Sequence, residues 1–473
     1  ERIEEILAAE KVVRIGEING AIMVQARVIA ESLAELEAKK ADFNKYDEVV
    51  LAEINSVVDI AADAEPVYPN DPWNKNTNYP YSWDENMPGG NNWSAEAIRA
   101  PGAWAYNKYF SNVKVGVVDG GFYTGHEDYD NLITFPSSLY EDDNNAASSH
   151  GTHVAGIIGA TANNGKGITG LLWDVDIIGA GYQTGSGDSI AKIVDAVTAV
   201  VESGAKAVNL SIGYSKESSG GSNPYLTPFS ESFLAQTAGP CAVGMDALLE
   251  QGREFVVVQS AGNGTIDTRL GKNVYRSDDA VQNGLYCSIK TTRTYGTLSA
   301  ADVQNVYDRI IVAGAIQNVS NTASGICMYM WERSNGGERV DIYAPGVSVY
   351  SCIPDMKNPE NTNDTTIYKY GYMSGTSQAA PIVTSVAGLC FAINPNLTGA
   401  QVKAIICDDA NSELTAHDYS LVNADTGLDY HPFTGDGKVI SMKLCAEAAL
   451  RTVCGRASYS YLNKVVAEAQ NLN

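Results

Sequence analysis

From Val113 onward, short uninterrupted apolar runs are separated by helical stretches, and this pattern narrows the possible folds more than any other feature. Candidate strands fall at Val113–Asp119, Val175–Ala180, Ala207–Gly213, Phe255–Ala261 and Ile310–Ile316. Strands that are apolar at successive positions, rather than at alternate ones, must be covered on both faces. Between the second and third lies Ser189–Ser203. There Ile190, Ile193, Val194, Val197 and Val201 share one face and Gly204 follows the end, which predicts an amphipathic helix. Together these features predict an α/β domain built on a parallel sheet. Such sheets bind ligands beyond the carboxyl ends of their strands, beside the amino ends of the helices that follow. Reactive residues are therefore to be sought at those junctions.

Charge excludes some partners. The 473 residues carry 32 Lys and Arg against 56 Asp and Glu, a formal net charge of −24. A chain this acidic repels phosphate backbones and anionic lipid, so nucleic acid and membrane surfaces are not expected partners. Apolar runs such as Val386–Ile393 stop short of the ~18 residues a membrane span needs, so no span is expected. The 44% hydrophobic content is ample for a buried core. Eight cysteines are too sparse for a disulfide scaffold, and no CxxC pair suggests a zinc ribbon. Cys390 and Cys407 read as buried helix positions. The chain opens at Glu1 with neither Met nor a targeting segment, and so reads as trimmed.

The N-terminal part follows a different pattern. Glu1–Glu10 reads as the end of a helix, Val12–Val28 as a strand pair, Ile29–Lys40 as a charged amphipathic helix and Glu48–Ile60 as a strand. Glu65–Asn92, rich in Pro, Asn, Asp and Tyr, reads as a linker. The expected organisation is a small α+β module over 1–66, a linker over 67–92 and a large domain over 93–473. Lys216–Asn223 and Thr265–Ala301 read as insertions around the sheet.

Three junctions carry chemistry. In Val115-Gly116-Val117-Val118-Asp119-Gly120-Gly121 a carboxylate ends an apolar strand, and two glycines let the chain turn away. In His150-Gly151-Thr152-His153-Val154-Ala155-Gly156-Ile157-Ile158-Gly159 a polar run enters an apolar helix whose small residues permit close packing. Its two histidines could ligate a metal, but no further ligand follows at zinc spacing. In Met373-Ser374-Gly375-Thr376-Ser377-Gln378-Ala379-Ala380-Pro381, Ser377 opens the apolar helix that runs on through Ile382–Ile393. Unpaired N–H groups and the positive dipole end stabilise an anion there.

Taken in order, Asp119, the His150–Gly156 segment and Gly375–Pro381 resemble the subtilisin-like serine protease family, peptidase family S8. Asn209–Gly213 resembles that family's substrate-binding strand, Ser260–Gly264 its oxyanion asparagine motif, Tyr343–Gly346 a further signature, and Gly435–Gly437 with Val439 the segment closing its catalytic domain. The resemblance runs from about Trp93 to about Ala449. It implies a subtilisin-like three-layer α/β fold with a mostly parallel sheet, preceded by a small α+β prodomain-like module. It also implies a serine endopeptidase with Ser377 as nucleophile, His150 as base, Asp119 as its orienting partner and Asn263 in the oxyanion hole. By the same resemblance Ser211, Ile212, Gly213, Ser260, Ala261 and Gly262 line the first specificity pocket, and Gly185, Ser186 and Gly187 flank an extended peptide substrate. His153 is expected to be a packed helix residue.

Two departures stand out. Gln378-Ala379-Ala380 replaces the Met-Ala-Ser common in the family, and Tyr214 stands where many members have a second glycine, a change expected to narrow the pocket. No acidic group is evident among the aligned pocket residues. Asp128 and the loop Ala162–Gly167, Asn164 above all, occupy the positions of a family calcium site, although Lys166 adds unhelpful charge. No cofactor is expected for the chemistry. The family further implies that the N-terminal module inhibits the enzyme until cleavage within Ile60–Asn70, and that the enzyme is secreted or at the cell surface.

Overall fold

A computed structural model describes residues 11–18, 21–27, 38, 41, 45, 65–72, 93–129, 133–134, 149–182, 190–214, 228–267, 274–318, 326, 328–357, 366–408, 414–416 and 437–453. The chain divides into two compact units, Glu1–Ala64 and Glu65–Asn473.

In the first unit, β1 (Lys11–Ile18) and β2 (Ala21–Arg27) pair antiparallel, with a register shift between Arg14 and Gly16. This is the expected strand pair. The helices expected at 1–10 and 29–40 and the strand at 48–60 lie outside the described residues, apart from the single helical position 38.

In the second unit the strands are β3 (Val113–Asp119), β4 (Ile133–Thr134), β5 (Val175–Gly181), β6 (Ala207–Leu210), β7 (Val256–Ser260), β8 (Thr265–Asp267), β9 (Val274–Arg276), β10 (Ile310–Asn318), β11 (Met328–Met330), β12 (Ile342–Pro345), β13 (Val349–Lys357), β14 (Ile367–Met373), β15 (Leu414–Ala416) and β16 (Gly437–Val439). The helices are α1 (Trp93–Ala97), α2 (Ala100–Trp104), α3 (Ser149–Gly159), α4 (Ile190–Glu202), α5 (Glu231–Glu250), α6 (Ala300–Tyr307), α7 (Thr376–Ile393), α8 (Gly399–Cys407) and α9 (Met442–Val453).

The central sheet runs β4-β5-β3-β6-β7-β10-β12-β16-β15, with β11 added on β10. Every pair from β4 to β16 is parallel; β15 and β11 join antiparallel. After β3 the chain builds outward through β5, then returns to β3's other side for β6. Order therefore reverses at β3, and the crevice beyond its carboxyl end is where such sheets bind ligands. Asp119 is that carboxyl end.

The mostly parallel sheet and flanking helices are those of the expected α/β fold. Strands β6 and β7 are buried at every position, and β3 at every position but Lys114. The expected strand over 207–213 ends at Leu210, because Ser211–Gly213 leave the ladder to line the site described below.

Helix α7 runs through the middle of the unit, with every residue except Ser377 buried. It packs against α3, α8 and α9 and against β3, β6, β7, β10 and β12. It is long and apolar enough to cross a membrane, but 94% of that window is buried in protein, as befits a core helix. In α3 a Cβ on Gly156 would come within 2.4 Å of Ser351 Oγ, so the small residues of that helix allow β13 to lie against it.

Two expectations need revision. Residues 65–72 are docked, not free: Val67 N donates to Pro101 O at 3.0 Å, and the buried Asp71 accepts from the amides of Asn163 and Gly165 at 2.9 and 3.0 Å. The expected linker boundary at 67 thus cuts a segment of the larger unit. Cys390 is buried as expected, whereas Cys407, at the end of α8, is mostly but not fully covered. Both are free thiols, and burial pushes each up to about 12.

Candidate active site

Asp119 is 1% exposed at the end of β3. Its two carboxylate oxygens lie 2.9 and 2.8 Å from Nδ1 of His150, in the first turn of α3, and Oδ1 also accepts the Gly120 amide at 2.7 Å. Since Asp119 can only accept, Nδ1 carries a hydrogen, and Nε2 of the neutral ring is the basic nitrogen. Gly151 makes this approach possible: a Cβ there would stand 2.2 Å from Gly121 O and 3.1 Å from Asp119 Cβ. Burial disfavours the His150 imidazolium, but the charge and hydrogen bond of Asp119 outweigh it, and the net shift is upward from 6.5.

Ser377 is the second residue of α7 and lines the same cavity as His150, a cleft of about 450 Å³. Its hydroxyl donates to Ser211 O at 3.2 Å. Pro381 is the reason Ser211 lies so close. It has no N–H, so the Ser377 carbonyl four residues earlier loses its intrahelical partner. Ser211 Oγ donates to that carbonyl instead, at 2.8 Å, and is itself held by Asn209 Nδ2 at 2.9 Å. The turn before α7 is set by β12: Gly375 N donates to Gly346 O at 2.7 Å, and a Cβ on Gly346 would meet Gly375 O at 2.8 Å. That accounts for Gly346 closing the Tyr343–Gly346 motif.

Asn263 follows β7. Its Oδ1 accepts from both the amide and the hydroxyl of Thr376, each at 2.8 Å. A backbone N–H can only donate, so the oxygen must face Thr376 and the NH2 must face the other way. The Thr376 hydroxyl in turn accepts from Gly262 N at 3.0 Å. This arrangement fixes the Asn263 NH2 beside the start of α7, where the first helical amides lack intrahelical acceptors.

Ser211, Ile212, Gly213, Ser260 and Gly262 line the cleft with these groups, and Ala261 lies buried between the last two. Tyr214 also lines it, and its ring packs edge-on against Phe233 at 5.2 Å. Gly185, Ser186 and Gly187 lie outside the described residues. Asp278, Gln282, Asn283, Arg333 and Asn335, which no motif marks, line the cleft as well. With Asp278 the cleft has an acidic group where none was expected, contributed by the segment taken for an insertion.

His153 lies on the buried side of α3. Its Nε2 faces Val349 O and Gly371 O at 3.1 and 3.2 Å, tying the helix to the β13–β14 hairpin. Burial and the neighbouring His150 lower its pKa to about 3, so it stays neutral and structural.

A second polar cluster joins 65–72 to the loop after α3. Asp128 accepts from Asn164 Nδ2 at 2.7 Å and from Ile168 N at 3.0 Å. Asn164 Oδ1 accepts from Lys166 N at 2.7 Å. Burial pushes Asp128 up to about 6, against these two hydrogen bonds, with the charge of Asp71 adding to the rise. Among the described residues no group of three or more His, Cys, Asp or Glu is placed to hold a metal. Asp128 and Asn164 carry the carboxylate and amide oxygens that a hard cation takes, but here Asn164 turns its NH2 to Asp128 and its oxygen to Lys166 N, so its amide has to turn before both oxygens can share one ion.

The profile of the subtilase family, peptidase S8, matches residues 111–430. The chain belongs to the subtilase family. Among its relatives are a thermophilic serine proteinase of a Bacillus strain, 28% identical over 291 residues, and the subtilisin of Bacillus pumilus, 26% identical over 316 residues. Those alignments cover 61% and 65% of this chain, and 54% and 86% of the two relatives. Among solved structures, fervidolysin from Fervidobacterium pennivorans aligns with a TM-score of 0.48 and 20% identity, over 81% of this subtilase and 50% of fervidolysin. The chain thus spans about half the length of the first of these relatives.

Proposed function

We propose that this subtilase cleaves peptide bonds by acyl transfer through Asp119, His150 and Ser377, with Asn263 stabilising the oxyanion. The observation that carries the reading is the paired contact of the buried Asp119 with His150 Nδ1, in a cleft that also holds Ser377 and the oriented Asn263 NH2. Ser377 turns its hydroxyl from Ser211 O toward His150 Nε2, gives up its proton and attacks the scissile carbonyl. His150 returns the proton to the leaving amine, and water then repeats the sequence on the acyl-enzyme. The negative oxygen of each tetrahedral intermediate takes hydrogen bonds from Asn263 Nδ2 and the Ser377 amide. Substrate lies extended against Ser211–Gly213, where backbone pairing asks little of side chains.

The test is labelling with a fluorophosphonate, followed by intact mass and peptide mapping. One adduct on Ser377, absent from His150→Ala, is expected; an unlabelled protein after proteolysis within the 73–92 segment overturns the proposal. Because the base must be neutral to act, kcat/KM rises with pH through the His150 pKa. Its upward shift places the midpoint above 6.5. A profile already flat from pH 5 upward contradicts this role for His150.

Two family traits complete the proposal. Asp128 and Asn164 would hold a calcium ion that fastens the loop after α3 and takes no part in the chemistry. At a hundredfold excess over its dissociation constant, such an ion adds about 2.7 kcal/mol to stability. Melting in calcium should therefore exceed melting in EDTA, and equal midpoints mean that the hydrogen bonds suffice alone. The N-terminal module acts as an inhibitory prodomain of a secreted or cell-surface enzyme, a role supported by its folding as a separate unit.

A further inference from the structure

Resting on the serine-peptidase reading above, we infer that Asn283 sets the specificity of the pocket for the residue on the acyl side of the scissile bond. Built Cβ atoms on Gly213 and Gly262 would stand 2.0 and 2.8 Å from Asn283 Oδ1. Those two glycines belong to the opposite walls of the pocket, so the carboxamide occupies the space between the walls where a long substrate side chain would have to go. Gly262 has a φ of +99°, a backbone conformation suited to glycine, which keeps that wall free of a side chain.

Asn283 is firmly held. It is 5% exposed, and its Nδ2 donates to Ser260 O at 2.6 Å and to Ile212 O at 3.5 Å, one carbonyl on each wall. Its own carbonyl accepts from Tyr214 N at 2.9 Å. Beneath it the buried Gln259 of β7 donates to Ile212 O at 3.0 Å and to Gly284 O at 3.4 Å, and accepts from Cys287 N at 2.9 Å. The side chain and backbone of Asn283 are thus fixed from both walls and from the sheet.

With its amide hydrogens directed at wall carbonyls, Asn283 offers an incoming group the acceptor Oδ1. The lining around it is polar too, with Gln282 and Asn335 in the same cleft and one charge of each sign, Asp278 and Arg333, so the lining has no net charge to draw a charged guest. The pocket therefore takes short, uncharged side chains that bring a hydrogen-bond donor: serine, threonine and asparagine. It rejects phenylalanine, which is too long for the floor, and leucine, which matches asparagine in shape but has no donor for Oδ1.

The test uses a set of peptides identical except at the acyl-side position. Wild type should cleave the serine, threonine and asparagine peptides with kcat/KM about 100-fold or more above the leucine and phenylalanine peptides, since buried polar groups left unpaired discriminate strongly. Asn283→Gly should raise kcat/KM for leucine and phenylalanine by about tenfold, near the lower end of what one pocket change yields. Asn283→Ala serves if the glycine variant does not fold, and the wild-type ranking stands independently of both. Preference of the wild type for leucine or phenylalanine, or an unchanged ranking in the variant, overturns the inference. Fluorophosphonate labelling keeps the two readings apart: labelled Ser377 with an apolar preference sinks only the role of Asn283, whereas an unlabelled protein sinks the peptidase reading beneath it.

Discussion

Ser377→Ala should lower peptide hydrolysis by roughly 10⁶-fold while leaving residues near 1–66 attached to the chain, as read by product formation and intact mass. The size follows from what remains. Without the hydroxyl no acyl-enzyme forms, and the Asn263 NH2 and the helix-start amides can only polarise a carbonyl for attack by water. Because Ser377 and His150 act as a unit, His150→Ala should cost a similar factor, and the double variant little more than either alone. The Ser211 contacts make Ser377→Ala a clean test. Ser211 Oγ bonds the backbone carbonyl at 377, which the substitution keeps, so α7 and its turn are retained. Turnover within a hundredfold of wild type would falsify the assignment of the nucleophile.

Asp119→Asn should lower kcat by about 10⁴ with little change in KM. The geometry gives the reason. The Gly120 amide donates to one carboxylate oxygen, so an asparagine at 119 keeps its oxygen there and turns its NH2 toward His150 Nδ1. Nδ1 must then accept, the ring proton moves to Nε2, and Nε2 can no longer take the Ser377 proton. Shape and volume barely change, so the circular dichroism spectrum should match wild type. A drop below tenfold would mean that His150 is oriented by something other than Asp119.

Much of the fold was legible in the sequence because parallel strands buried on both faces leave continuous apolar runs. Val113–Asp119 matches its strand end for end, and the Ser189–Ser203 helix runs from Ile190 to Glu202. The residues proposed for the triad, the oxyanion hole and the pocket walls were picked out because each sits in a short motif with a backbone requirement, as at Gly151, Gly262 and Gly346. The pocket floor was not. Asn283 sits in a short 3₁₀ stretch, Ala280–Asn283, where no periodicity marks one face. Its position depends on Gly284 and Leu285, both at positive φ, and on the side chain of Gln259, a polar residue inside an apolar strand. A lone glutamine in such a run reads as an interruption until the groups it bonds are known. The docking of 65–72 was hidden for a related reason, since it rests on a backbone bond from Val67 and side chain to backbone bonds from Asp71, all to distant segments, and not on an apolar stripe.

The order of the catalytic groups along the chain bears on how the protein is made. Asp119 and His150 leave the ribosome early, the pocket walls follow, and Ser377 comes last, on a helix that packs against both the strands made before it and the helices α8 and α9 made after it. Sheets closed by such distant segments form slowly. Until α7 is seated the nascent chain has a base without a nucleophile, and no fragment ending before Ile393 holds a working site. On the proposed function, an enzyme able to digest its own unfinished copies would thus become active only once its last catalytic helix is seated.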